Sequence, residues 1–171
     1  LITAQISSQT IPSIDLQKEF KNGKASLAGE WALIWGEWRP LAEIARFEAN
    51  FEIVQLPNFV STLMDDKALN KHRFGTYILK LNNLSPTFNN PAIRMRNVND
   101  AWQAWWIDES GQTQFLGESG KIAKNYESQQ MRFKTHILQL PQGINSGTLV
   151  VYLSAQLYKR GGMYGSFDVR E

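Results

Sequence analysis

Two pairs of adjacent carboxylates, Asp65-Asp66 and Asp108-Glu109, are the first residues whose types invite chemistry. Glycoside hydrolysis needs two carboxyl groups facing each other across a sugar, one of them with a raised pKa. Neighbours on a strand point to opposite faces, and both pairs stand in turn-like sequence, where a carboxylate readily accepts backbone N–H groups. Neither pair reads as a catalytic dyad. The two histidines, His72 and His136, lie far apart with no ligand-spaced neighbour. Both read as solvated surface residues rather than metal ligands or general bases, His136 on an exposed strand face beside Arg132 and Lys134. No GxSxG elbow and no GxxxxGK[ST] loop occurs, and GESGK at 117–121 reads as a β-turn. The expectation is a non-enzymatic chain without cofactor or metal.

Recognition chemistry is better represented. The stretch AWQAWWIDESG (101–111) carries three tryptophans in five positions. In an extended strand Trp102, Ala104 and Trp106 share one face, while Ala101, Gln103, Trp105 and Ile107 share the other. A sandwich strand turns one face to the core, so Trp102 and Trp106 are assigned inward. Trp105 is left either to stack on a ligand or to lie under a loop or terminus. Arg94 and Arg96 project from the face opposite Ile93 and Met95. Beside Trp105 they would supply donors to a carboxylate or to sugar hydroxyls; otherwise they are two solvated arginines. Asp108 follows the tryptophans. In YKRGGMYG (158–165), Tyr158, Arg160 and Tyr164 flank Gly161-Gly162, as a ligand-facing rim or as a bulge after a long strand. The candidate ligand-binding set is Trp105, Arg94, Arg96, Asp108, Tyr158, Arg160 and Tyr164.

The elements that must position these residues are short. LAGEWALIWGEW, FEIVQLPNF, GTYILKL, AIRMRNV, AWQAWWID, TQFLGES, MRFKTHILQL, GTLVVYLSAQLY and GSFDVRE read as strands separated by turn residues. PLAEIARFEA reads as a surface helix with Pro40 near its first turn, and MDDKALNKHR as a polar loop. Roughly eight to ten short strands argue for an all-β fold, an antiparallel β-sandwich or jelly roll with one or two short helices. At 171 residues, 43% hydrophobic, one domain fits. Residues 1–13 read as an extended lead-in and 14–171 as the sandwich.

A net charge of +2 without a basic run argues against nucleic acid as a partner. The absence of cysteine removes disulfide and thiolate chemistry. No stretch approaches the ~20 apolar residues of a membrane span. LITAQISSQTIPS lacks the basic start and apolar run of an intact signal peptide.

Several of these motifs together resemble a known family. LAGEWALIWGEW is similar to the opening of the extracellular sensing domains of bacterial seven-transmembrane receptors with diverse intracellular signalling modules. AIRMRNVNDAWQAWWIDESG resembles their central strand pair, and LVVYLSAQLYKRGGMYGSFDV their ending. The opening, QLPNF and GTYILKL also resemble, more distantly, the sugar-binding-like jelly-roll domain of β-galactosidase-type glycosidases. The receptor resemblance implies a jelly roll of galactose-binding-like type on the periplasmic side of an inner membrane. It implies a membrane domain of the same polypeptide as partner, with a cyclase, kinase or phosphatase output elsewhere in that polypeptide. The ligand expected is a small carbohydrate or carboxylate. Two departures fall where a ligand would be read: the family's Asn-Gly turn is IDESG here, and its Ser-Asn is Ser154-Ala155. The alternatives are a carbohydrate-binding accessory domain of a glycoside hydrolase, or a protein-interaction module, with a homodimer as a further partner reading.

Overall fold

The strand at 29–35 shows how this sequence builds its sheets. In GEWALIW the residues alternate between two faces, yet Trp31, Ala32, Leu33 and Ile34 are all buried. A strand apolar on both sides must be covered on both sides, and it is. The computed structural model describes residues 9–46, 50–84, 88–132, 134–156 and 161–171. Its strands are β1 (Ser13–Asp15), β2 (Phe20–Lys21), β3 (Lys24–Ser26), β4 (Gly29–Trp35), β5 (Glu52–Leu56), β6 (Phe74–Asn82), β7 (Ala92–Met95), β8 (Val98–Asn99), β9 (Ala101–Asp108), β10 (Thr113–Ser119), β11 (His136–Gln139), β12 (Gly147–Ser154), β13 (Gly162–Met163) and β14 (Phe167–Arg170). The helices are α1 (Leu16–Glu19), α2 (Leu41–Ala45), α3 (Val60–Leu63) and α4 (Asp66–Lys71).

Two sheets face each other, and the fold is the expected antiparallel β-sandwich. The large sheet runs β10-β9-β12-β6-β4-β5, with β1 added in parallel beside β6; the small sheet runs β11-β7-β14-β3-β2. Between them lie Trp31, Leu33, Tyr77, Leu79, Trp102, Ala104, Trp106, Leu149, Val151 and Leu153 from one side. Ile93, Met95, Leu138, Phe167 and Val169 come from the other. The inward assignment of Trp102, Ala104 and Trp106 holds, each at most 1% exposed. Burial of each large apolar side chain stabilises by roughly 1.5–3 kcal/mol.

The outer face of the large sheet carries a second, smaller core. Ala32, Ile34, Ile78, Ile107 and Val150 are capped there by Ile44 of α2, by Phe51 and by Ile11. Residues 36–46 are strapped across the face by polar bonds. The Thr76 hydroxyl accepts from the Arg39 N–H (3.0 Å) and donates to the Glu37 carbonyl (2.8 Å), and the Tyr152 hydroxyl donates to the Arg39 carbonyl (2.6 Å).

Several expectations are corrected. Four short helices occur among the described residues, not one or two. One of them, α4, lies in MDDKALNKHR, where Asp65 Oδ1 accepts from the Ala68 N–H at 2.7 Å and Leu69 turns into the core. Within the segment read as a lead-in, Ile11 packs in the second core, the Pro12 carbonyl accepts from the Lys80 N–H, and Ser13 pairs with Lys80.

His136 is not a solvated surface residue. It meets Trp102 edge-on at 4.9 Å, and its Nε2 is buried without a partner among the described residues. Desolvation, and then the charge of Lys134, holds its pKa below the usual 6.5. The unfolded chain therefore takes up the proton first as pH falls. This contribution to stability is complete above about 6.5 and is lost below it, through the lower folded value. Urea unfolding at about pH 7.5 and about pH 5.5 is expected to show a larger drop for the wild type than for His136→Gln.

Candidate functional site

At the β10 edge of the large sheet, the outer face exposes an aromatic pair. The register sets Trp105 of β9 between Val150 of β12 and Phe115 of β10. The two rings meet edge to face at 5.0 Å. Phe115 is 45% exposed; Trp105 is half-buried against the second core, and its Nε1–H is buried with no acceptor among the described residues. Gln103 lies two residues before Trp105 on the same face and donates from Nε2 to Glu118 at 3.0 Å.

Two residues beyond Trp105 the same face sinks into a recess of about 280 Å³, lined by Ala45, Lys80, Ile107, Asp108, Glu109, Gly111, Gly147 and Thr148. Its wall is the β9–β10 turn. Asp108 Oδ1 holds that turn, accepting from the Ser110 N–H (2.8 Å), the Ser110 hydroxyl (2.7 Å) and the Gln112 N–H (2.9 Å). Gly111 takes φ +85°, a conformation that other residues adopt only with strain. The bond from the Ser110 side chain, followed by that from the Gln112 amide, keeps the Asp108 carboxyl below its usual pKa. Glu109 accepts from the Ser146 hydroxyl. The recess is lined by two carboxylates, one ammonium and one threonine hydroxyl, with Ala45 and Ile107 as its apolar part. That is the donor and acceptor mixture that binds hydroxyl-bearing ligands with an apolar face.

Of the seven residues expected from the sequence, Trp105 and Asp108 lie three positions apart on β9, Trp105 on the outer face and Asp108 at the strand end that borders the recess. Arg94 is elsewhere: it does project outward, but from β7 of the small sheet, on the far side of the sandwich from Trp105. There its Nη2 donates to Asp168 at 2.6 Å, and Arg170 binds the same carboxylate. The chain passes from β7 to β9 through Asn97 and Asp100, whose φ values of +51° and +85° turn it from one sheet to the other. Arg96 is exposed beyond the end of β7, with its N–H bonded to the Ser166 carbonyl. Tyr164 stacks on Phe59 at 4.7 Å at the other end of β9 from Asp108. Tyr158 and Arg160 lie outside the described residues. No expectation was attached to Phe115, Lys80 or Thr148, and Glu109 entered only as the partner of Asp108 in the carboxylate pair. Only Phe115 had a signal, since pairing TQFLGES back on AWQAWWID across the ESG turn sets it beside Trp105.

No protein family matches the chain, and no curated protein does. Solved structures do. The β-glucuronidase of Faecalibacterium prausnitzii superposes with a TM-score of 0.61 at 12% identity, covering 88% of this chain and 32% of that one. The Ruminococcus gnavus β-glucuronidase gives 0.61 at 12% identity, covering 88% and 29%. A GH2 β-galacturonidase from Eisenbergiella tayi gives 0.57 at 10% identity, covering 86% and 24%. This chain spans a quarter to a third of those enzymes. At such identities the likeness is one of fold: a β-sandwich like a domain of GH2 glycosidases. It agrees with the glycosidase resemblance seen in the sequence. The resemblance to receptor sensing domains finds no support in these comparisons, and among the described residues no helix is long and apolar enough to cross a membrane.

Proposed function

We propose that this chain is a non-catalytic carbohydrate-binding domain, the accessory part of a larger glycoside-processing protein. The observation that carries the reading is the Trp105–Phe115 pair on an outer sheet face that leads, two residues on at Ile107, into a recess lined by polar groups. An aromatic ring offers a flat apolar surface to the C–H face of a pyranose, and the recess supplies the polar groups that orient it. The fold shared with glycosidases supports the reading without assigning an activity. The role is binding, because the carboxylates in the recess already serve the turn: Asp108 caps it and Glu109 is tied to Ser146.

Calorimetric titration against a panel of methyl glycosides and oligosaccharides tests this. A ligand at 100 times its dissociation constant adds about 2.7 kcal/mol of stability, visible as a shift of several degrees in melting temperature. Phe115→Ala, a change at an exposed ring, is expected to weaken binding roughly tenfold, equivalent to about 1.4 kcal/mol. Ile137→Ser, at a residue 72% exposed on the small sheet, should leave it unchanged. Heat of binding absent across the panel, or equal in wild type and Phe115→Ala, would sink the reading.

A further inference from the structure

Trp106 occupies the inner face of β9, is 1% exposed, and has a buried Nε1–H with no acceptor among the described residues. Trp31 donates to the Leu27 carbonyl at 2.9 Å and Trp35 to the His72 carbonyl at 3.1 Å, whereas Trp105 and Trp106 have no acceptor among the described residues. A buried donor without a partner is costly, and such groups normally meet protein or an ordered water. Trp106 lines a cavity of about 110 Å³ at the end of the sandwich, together with Asp108, Gln112, Thr113, Gln114, Pro141 and Ile144.

Asp108 lines both this cavity and the recess on the outer face. Trp106 and Asp108 are alternate residues of one strand. Their side chains leave it on the same side, with Cα atoms roughly 6–7 Å apart. The bonds from the Ser110 N–H, the Ser110 hydroxyl and the Gln112 N–H converge on Asp108 Oδ1. A sugar hydroxyl, like an ordered water, can accept from an N–H and donate to a carboxylate at once. An anionic group would meet the ionised Asp108, with Glu109 beside it.

We infer that this cavity is a hydroxyl-reading subsite for a neutral sugar, in which the Trp106 Nε1–H donates to, and Asp108 Oδ2 accepts from, the same ligand hydroxyl. The inference rests on the carbohydrate-binding reading above and narrows it to uncharged saccharides.

The test follows the indole N–H resonances of protein labelled with ¹⁵N-tryptophan, assigned through single Trp→Phe variants. The titrants are methyl β-D-glucopyranoside, methyl β-D-galactopyranoside, methyl α-D-mannopyranoside and sodium D-glucuronate. The Trp106 signal is expected to move with at least one neutral glycoside and to stay fixed with glucuronate, while Trp31 stays fixed throughout. Asp108→Asn keeps an acceptor for the turn and is expected to weaken the neutral glycoside at least fivefold. Movement of Trp105 with Trp106 fixed would overturn the subsite and leave the broader reading standing. Movement of Trp106 with Trp105 fixed would uphold the subsite and remove the platform. A glucuronate response equal to that of the neutral sugars, or an undiminished affinity in Asp108→Asn, would overturn the inference. If no signal moves, both proposals fall.

Discussion

Gly147→Ala is expected to destabilise the fold by about 2–4 kcal/mol, beyond most single substitutions. Gly147 opens β12, a strand paired on both sides, opposite Asp108 on β9 and Leu81 on β6. The Trp106 ring lies over it. A methyl group there would stand 2.2 Å from Trp106 Cζ2, 2.5 Å from Cε2 and 2.8 Å from the Ile107 carbonyl oxygen. The indole is enclosed by the core and the carbonyl belongs to a sheet ladder, so neither can yield without loss elsewhere. Urea unfolding measures the effect. Because the clash is with the six-membered half of the indole, Gly147→Ala combined with Trp106→Phe should cost less than the sum of the two single changes. A loss below about 0.5 kcal/mol for Gly147→Ala would show that the ring is free to move.

Asp168→Ala is expected to cost about 1–3 kcal/mol, between an exposed ion pair and a fully buried one. Asp168 is 4% exposed and accepts from both Arg94 and Arg170 on the outer face of the small sheet. Without it, two guanidinium groups are left side by side, Arg94 mostly buried. Asp168→Asn keeps an acceptor and should cost less. Burial opposes the charged carboxylate, but the bonds from Arg170 and then Arg94 outweigh it and hold the pKa below the usual 3.8. A depressed folded value means that the stabilisation is present above about 3.8 and is lost as pH falls through the lower folded pKa. The acid limb of the stability curve should therefore be shallower in Asp168→Ala. Equal acid sensitivity of variant and wild type would contradict the arrangement.

Period-two alternation reads faces well and partners badly, and the residues divide along that line. The inward turn of Trp102, Ala104 and Trp106, and the outward turn of Trp105 and Arg94, follow from which neighbours are apolar. That Arg94 and Trp105 sit on opposite sides of the molecule does not, because the crossing depends on two non-glycine residues in the left-handed region. His136 was misread for a related reason. Among the described residues of MRFKTHILQL only His136–Gln139 is strand, and the charged neighbours drew the whole face outward. The helix at Asp66–Lys71 hid behind polar composition, although Asp65 three residues before Ala68 is a capping signal. The unbroken apolar run of β4 did contain the second core, since a strand buried on one side only would have shown polar residues at Ala32 and Ile34.

The parallel strand β1 also decides how tension would enter the molecule. A pull arriving along the chain before Ile11 is delivered beside β6, in the interior of the large sheet, not at a frayed margin. Force directed along β1 loads its bonds to β6 together, in shear, and must also draw Ile11 out from beneath the outer layer. The N-terminal side is thus a mechanical anchor. The C-terminal strand β14 offers a similar hold, locked between β7 and β3 and pinned by Asp168. Traction between the two ends is carried from one sheet to the other through the core packed between them.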